Sequence, residues 1–227
     1  MKTIILLHGA IGAKDQLEPL SQELKHIGQH VFTLNFSGHG QMPFASHFGI
    51  EQFALELEEF IQLNQLEKPH VFGYSMGGYV ALYLAKQQPN LFGNIITLGT
   101  KFEWSAEISQ KEIKMLDAKT IIEKVPKFAE ALKARHGNDW ELLLQKTAEM
   151  MLSLGNKNIL SLNDFSNIEN KVLIGLADKD NMVSLEETVA VYKQLKHGAM
   201  YMLPHTKHPI ETVNVSLLGK ISTDFFQ

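Results

Sequence analysis

Short apolar stretches alternate with amphipathic stretches along most of this 227-residue chain. Six of the apolar stretches are rich in Ile, Val, Leu and Phe and show little polar alternation, which is typical of strands buried on both faces of a parallel sheet. They cover residues 3–7, 30–35, 70–73, 94–98, 171–176 and 199–203. The segments between most of them have helical spacing. This order predicts an α/β fold, with a mainly parallel sheet of about six strands and helices on both faces.

The segment 101–170 interrupts the alternation, because it contains several helical stretches and no convincing strand. Pro126 is expected to be the first residue of one of these helices, and Gly137-Asn138-Asp139 to separate two others. We therefore predict a core formed by residues 1–100 and 171–227, and a helical lid or cap at residues 101–170, inserted after the fourth strand. Right-handed crossovers would place the carboxyl ends of all strands at one rim of the sheet, where ligands bind in open α/β sheets.

The strongest motif at that rim is Gly-Tyr-Ser-Met-Gly-Gly at residues 73–78. It joins a predicted strand to a predicted helix, and small residues flank its serine. A nucleophile elbow requires this arrangement, because the serine sits on a sharp, strained turn that brings strand and helix close together. The motif predicts Ser75 as a nucleophile.

A serine hydroxyl needs a base to remove its proton, and the base needs an acid to orient it. Asp178 follows the fifth strand and His208 follows the sixth, which gives the chain order serine, acid, histidine. Asp180 and His205 are local alternatives. We favour Asp178 because it is nearer the strand end, and His208 because the proline after it would open the last helix and fix its position.

An oxyanion hole requires two backbone N–H groups aimed at the developing charge. The loop His-Gly-Ala-Ile-Gly at residues 8–12 follows the first strand and allows close backbone approach. Its Ala10 N–H, or alternatively that of Ile11, and the N–H of Met76 are the expected donors. His8 is expected to hold the loop by hydrogen bonds.

These motifs together resemble the α/β-hydrolase-fold superfamily, in particular its small, lid-bearing, esterase-like serine hydrolases. The resemblance covers nearly the whole chain. Three features depart from the family pattern: Asn35 stands where Asp is usual, Lys207 precedes His208 where Gly is frequent, and the chain starts at the family's third strand, which predicts a trimmed sheet.

The resemblance implies hydrolysis of a carboxylic ester of a small to medium apolar substrate through an acyl-enzyme intermediate, with a triad of Ser75, Asp178 and His208. The alternatives within the enzyme class are thioester, amide or carbon–carbon bond hydrolysis by the same triad. A ligand-binding signalling module with vestigial turnover is the alternative outside that class.

In the lid, Phe102 and Trp104 directly follow a strand and are expected, with Ile11, to line the substrate pocket. The charged residues Glu107, Lys111, Glu112 and Lys114 are expected to form a solvated helix face.

Composition removes several other classes of function. The chain has no cysteine and a formal charge of −4, so a thiolate metal site, thiol catalysis and a basic nucleic-acid surface are not expected. No phosphate-loop or dinucleotide fingerprint is complete, and no metal ligand set is recognised. We expect no cofactor, no metal, no nucleic-acid partner and no membrane partner. The N-terminal apolar run is too short for a secretory signal, so a cytoplasmic protein with a small-molecule substrate is expected, and a homodimer stays open.

Overall fold

The computed structural model describes all residues, 1–227, and contains one six-stranded sheet in the order β2-β1-β3-β4-β5-β6. Every neighbouring pair of strands is parallel. The strands are β1 Thr3–Leu7, β2 His30–Thr33, β3 His70–Tyr74, β4 Ile95–Leu98, β5 Val172–Ala177 and β6 Gly198–Leu203. The predicted α/β class and six-stranded parallel sheet are confirmed.

Helices cover both faces of this sheet. The helices of the core are α1 Glu18–His26, α2 Ile50–Leu63, α3 Met76–Gln87, α8 Leu185–Gln194 and α9 Val215–Phe225. Successive strand residues point to opposite faces. Ile5 and Leu7 of β1 belong to the apolar cluster that includes α2 and α3, whereas Ile4 and Leu6 belong to the cluster on the α1 and α9 side. The sheet is therefore buried on both faces, as its nearly continuous apolar strands require.

The regular elements between β4 and β5 are all helical, so a helical segment is inserted after the fourth strand; that it acts as a cap stays a prediction. The helices are α4 Ala106–Glu112, α5 Ala118–Lys124, α6 Pro126–His136 and α7 Trp140–Asn156, with short 3₁₀ turns between and after them. Pro126 is the first residue of α6, and a 3₁₀ turn over Gly137–Asp139 separates α6 from α7, as expected. The exact limits of core and cap at residues 100 and 171 stay a prediction.

The end of the chain differs from the sequence prediction. The last helix does not open at Pro209, because residues Ile210–Thr212 form a single 3₁₀ turn. The helix α9 begins at Val215, where Asn214 Oδ1 accepts a hydrogen bond of 3.0 Å from the N–H of Leu217. An asparagine cap at this point fixes the start of the helix better than the proline upstream. None of the nine helices has the length and hydropathy needed to cross a bilayer.

Candidate active site

Ser75 lies at the junction between β3 and α3, in a strained backbone conformation with φ of 51° and ψ of −118°. Its N–H donates to Leu98 O of the neighbouring strand at 2.8 Å. The turn is tight enough that a Cβ on Gly77 would lie 2.5 Å from Leu7 O, a backbone atom of β1. Strain of this kind persists only where the surroundings impose it, and it is frequent at functional sites. The geometry is that of the predicted nucleophile elbow.

His208 reaches this rim from the loop after β6 and pairs with Asp180. His208 Nδ1 lies 2.8 Å from Asp180 Oδ2, and the side chains are 9% and 1% exposed. The other oxygen of Asp180, Oδ1, accepts hydrogen bonds of 2.9 Å from the N–H groups of Met182 and Val183. Burial opposes ionisation of Asp180, but the hydrogen bond to His208 and those from the two N–H groups outweigh it and hold the pKa of Asp180 below its usual value. A fixed, ionised acid therefore orients His208.

The structure does not bring Asp178, the acid favoured from the sequence, to His208. Asp178 is exposed, its N–H continues the ladder to Leu203 O, and its Oδ1 accepts from the N–H of Thr206 at 2.9 Å. Hydrogen bonds from the His205 and Thr206 N–H groups lower the pKa of Asp178. A turn, closed by the N–H of Asp180 on Ala177 O, then carries the chain back over the rim. Asp178 thus connects the loops after β5 and β6, whereas Asp180 bonds to His208.

Of the two histidines, His208 is the one that pairs with Asp180. His205 is exposed and has a φ of 53°, within the tight turn after β6. Tyr74, which precedes Ser75, donates a hydrogen bond of 3.1 Å from its hydroxyl to His208 O, and the two rings lie 5.6 Å apart. The residue before the serine therefore fixes the backbone of the histidine.

The loop after β1 lies beside Ser75, and Ala10 and Met76 both line the cavity that Ser75 opens into. The N–H groups of Ala10 and Ile11 have no hydrogen-bond acceptor within the chain. His8 braces the loop: its Nδ1 donates to Gly9 O at 2.8 Å, and its Nε2 accepts from the N–H of Phe36 at 3.2 Å. Complete burial lowers the pKa of His8 to about 4, so it is neutral near pH 7 and suited to these two bonds.

His136, the last residue of α6, braces the same loop from the cap. Its Nε2 donates to Ile11 O at 2.9 Å, and its Nδ1 accepts from the N–H of Gly40 at 3.0 Å. Burial lowers the pKa of His136, which favours the neutral tautomer that these contacts require. Ile11 itself has a φ of 50°, an unfavourable value for a β-branched residue. No sequence motif marks His136, because its contact with Ile11 joins two distant parts of the chain.

A cavity of about 50 Å³ connects these elements and has both Ser75 and His208 in its wall. No hydrogen bond joins the two side chains directly. Of the three residues expected to line a substrate pocket, Trp104 lines this cavity. Phe102 and Ile11 do not. Phe102 packs on Phe165, with ring centroids 5.3 Å apart, and lines a separate cavity of about 390 Å³ that also has Trp104 in its wall. Ile11 packs against a small apolar cluster of the cap instead.

The cavity wall also contains charge, which the sequence analysis placed on the surface. Lys101 and Glu112 both line it, and Glu112 is 5% exposed as a residue. Lys101 Nζ lies 3.7 Å from Glu112 Oε1 and 3.8 Å from Glu187 Oε2 of helix α8. Burial raises the pKa of Glu187 to about 7, although Lys101 acts against this. The prediction of a solvated face on α4 is therefore wrong at Glu112.

The chain has relatives among characterised enzymes. Ethanol acetyltransferase 1 of Cyberlindnera jadinii is 25% identical over 170 residues, which are 74% of this chain and 48% of that protein. The sn-1-specific diacylglycerol lipase ABHD11 of Danio rerio is 27% identical over 96 residues, 42% of this chain and 30% of that protein. The chain thus spans less than half the length of these relatives.

Solved structures show the same fold. The 2-hydroxy-6-oxo-6-phenylhexa-2,4-dienoate hydrolase from Rhodococcus sp. strain RHA1 superimposes with a TM-score of 0.76 at 20% identity, covering 99% of this chain and 90% of that one. The sequence model of the alpha/beta hydrolase fold family matches residues 2–144, more than half of the chain. Sheet order, elbow and profile agree, and the chain belongs to the α/β-hydrolase fold family.

Proposed function

We propose that this chain is a serine hydrolase that cleaves carboxylic esters through an acyl-enzyme intermediate. Ser75 is the nucleophile, His208 the general base and Asp180 the acid that orients it. The observation that carries the proposal is the 2.8 Å bond between His208 Nδ1 and Asp180 Oδ2, in the same cavity as a serine on a strained elbow. A catalytic triad is recognised by this geometry and by the roles of its members.

In the first step, Ser75 Oγ attacks the ester carbonyl carbon, and His208 Nε2 takes the hydroxyl proton. Asp180 accepts a hydrogen bond from Nδ1–H and stabilises the resulting imidazolium. The N–H groups of Met76 and Ala10 bind the tetrahedral oxyanion, and each such donor contributes about 100- to 1000-fold to turnover. The carbon–oxygen bond to the leaving alcohol then breaks, and His208 gives its proton to that alcohol.

In the second step, His208 removes a proton from water as the water attacks the acyl-enzyme. The oxyanion forms in the same position, Ser75 leaves, and His208 returns the proton to its oxygen. The products are a carboxylic acid and the free serine. This cycle uses side chains and backbone donors of the chain itself.

The cavity wall supports a small acyl group. Most residues that line it are apolar, and its volume is about 50 Å³. Ester cleavage is preferred over amide cleavage because an alkoxide leaves more readily than an amide nitrogen. Thioester and carbon–carbon bond hydrolysis by the same residues, and a binding role with vestigial turnover, are the alternatives.

Acyl transfer to an alcohol is a second candidate, favoured by the relative named ethanol acetyltransferase, which matches 74% of this chain. It uses the same acyl-Ser75 intermediate, with an alcohol instead of water as the second nucleophile. Hydrolysis in the presence of graded ethanol distinguishes the two: a transferase forms ethyl ester in excess of what the ethanol-to-water ratio predicts, whereas a hydrolase does not.

Intact-mass analysis after treatment with a fluorophosphonate tests the proposal. The wild-type protein is expected to gain one adduct, which Ser75→Ala abolishes and which His208→Ala and Asp180→Asn slow by orders of magnitude. Asp178→Asn and His205→Asn are the matched controls, because each lies in the same loop as a proposed triad member and is exposed. No adduct on folded wild-type protein, or equal labelling in the His208 variant, would overturn the proposed triad.

A further inference from the structure

Three ionisable side chains of low exposure meet beside the catalytic cavity, each from a different element. Lys101 follows β4, Glu112 ends helix α4 of the cap, and Glu187 lies in the first turn of α8. Their side chains are only 16%, 7% and 4% exposed. The ammonium of Lys101 donates to Met182 O at 2.8 Å, but both carboxylates are beyond hydrogen-bond distance from it. One ammonium group thus faces two carboxyl groups, and the polar atoms of the cluster are not saturated.

Glu112 Oε2 and Glu187 Oε1 are both buried without a partner, and Glu112 is the one of the two residues that lines the cavity. Its carboxylate accepts no hydrogen bond, and Oε2 is buried without any partner. Trp104 lines the same cavity, and its indole Nε1 is likewise buried without an acceptor. A buried carboxylate and a buried N–H that bond to nothing each carry a desolvation cost. A ligand group that bonds to both would remove that cost.

The chemistry of the wall selects the group. A hydroxyl can donate to Glu112 and accept from Trp104 or Lys101. An ammonium group cannot accept from the indole and would be repelled by Lys101. A carboxylate cannot donate to Glu112 and would be repelled by it. A hydroxyl is the smallest neutral substituent that serves both sides, because one oxygen atom both donates and accepts.

We propose that Glu112, Lys101 and Trp104 form a subsite for a hydroxyl group on the acyl chain of the substrate. This rests on the function proposed above and names its substrate class, short hydroxyacyl esters. The acyl chain is the part concerned, because a cavity of about 50 Å³ that has the nucleophile in its wall holds a short chain and leaves the departing alcohol outside.

The isosteric pair 4-nitrophenyl 3-hydroxybutanoate and 4-nitrophenyl 3-methylbutanoate tests the subsite, because the two acyl groups differ only in a hydroxyl for a methyl. After correction for their rates of alkaline hydrolysis, wild-type kcat/KM is expected to favour the hydroxy ester at least about tenfold, the size of one hydrogen bond to a charged group. The 3-methoxybutanoate ester, which cannot donate to Glu112, should lose this advantage.

Glu112→Leu should bring the ratio of the two kcat/KM values to about one while the methyl ester is still cleaved, since Lys101 keeps Glu187 as its partner. If that variant does not fold, Glu112→Gln keeps the shape, removes the charge and should lower the ratio several-fold. Glu107→Gln, an exposed position on the same helix, should leave the ratio unchanged.

Two results would overturn the subsite alone: a wild-type ratio near one, or a ratio that the Glu112 variants do not change. The subsite alone would also be overturned if a fluorophosphonate labels Ser75 but neither ester acylates it. Absence of both labelling and ester cleavage would instead refute the proposed function.

Discussion

The ring of His208 packs directly on the backbone of Gly99, the residue that follows β4. A Cβ on residue 99 would lie 3.3 Å from His208 Nδ1, His208 Cε1 and Asp180 Oδ2, and Gly99 has a φ of +60°. Gly99→Ala is therefore expected to displace the His208–Asp180 pair and to lower kcat by up to about 100-fold, the cost of a small misplacement of a catalytic group. Ester turnover measures the loss in kcat, and circular dichroism checks that the variant is folded.

Gly28→Ala is the matched control for this change. Gly28 has a φ of +90°, and nothing lies within 4 Å of the position of its Cβ. The Gly28→Ala variant should lose about 1 kcal/mol of stability, as Gly99→Ala should, because alanine is strained at a positive φ. Its turnover should be unchanged. Equal turnover of the two variants would contradict a role of Gly99 in placing the pair.

Replacement of the two neighbouring acids should give opposite results. Asp180→Asn is expected to lower kcat by about 10⁴-fold, because the amide favours the wrong tautomer of His208. Asp178→Asn removes a bond to the N–H of Thr206 and should change kcat by less than about tenfold. Steady-state kinetics on one ester measure both, and a larger loss in the Asp178 variant would restore the original assignment.

Backbone strain at Ser75 should appear as a difference in the free energy of unfolding between two variants of this residue. Ser75→Gly is expected to unfold at higher free energy than Ser75→Ala, by about 1 kcal/mol, because glycine adopts the observed φ of 51° freely. Both variants lack the nucleophile and should be inactive. Urea denaturation of the two proteins is the measurement, and a Ser75→Ala protein of equal or greater stability would show that the turn is unstrained.

The cap is expected to influence catalysis through His136. His136→Leu removes the bonds to Ile11 O and the N–H of Gly40, leaves buried polar groups unpaired, and should cost about 1–3 kcal/mol of stability. Because Ile11 lies next to Ala10, kcat should fall more than KM rises. Arg135→Ala, which breaks only the partly exposed ion pair to Asp15, is the control and should change stability by less than about 1 kcal/mol. An unchanged kcat in folded His136→Leu would refute the link.

In a Glu187→Gln protein, which lacks the carboxyl whose raised pKa of about 7 acts in the opposite direction, stability should fall as the pH is lowered from about 6.5 towards 4. Burial lowers the pKa of His8 to about 4 and also lowers those of His39 and His136. The unfolded chain binds protons at these histidines below their ordinary pKa of 6.5, whereas the folded chain does not, so acid favours unfolding. At pH 5.5 each histidine with a strongly lowered pKa should reduce the free energy of unfolding by about 1 kcal/mol. Urea denaturation across the pH range measures this. A free energy of unfolding that stays constant between pH 7 and 5.5 would contradict this.

The sheet and the cap could be predicted because each depends on a pattern within one segment. The strands are apolar on both faces, and the position of Ser75 depends only on the strand–turn–helix order around it. Which acid pairs with His208 depends instead on the turn after β5, in which the N–H of Asp180 donates to Ala177 O. A signal was present: the Oδ1 of Asp180 bonds to the N–H groups two and three residues later, as Asp does at the start of a turn.

Other parts of the site depend on contacts between distant segments. Glu112 looks like one of several solvated charges on α4, and only the packing of the cap on the core buries it beside Lys101. His136 ends a helix of ordinary composition, and its bond to Ile11 spans 125 positions. No local periodicity reports either contact, which is why the sequence analysis missed both.

The double use of the Asp180 carboxylate links catalysis to one short loop. One oxygen closes the turn before α8 and the other aligns His208. A molecule in which this turn opens locally therefore loses its aligned base while the sheet stays intact, since such openings require less free energy than global unfolding. Heating should consequently switch off turnover reversibly at temperatures below those that melt the fold.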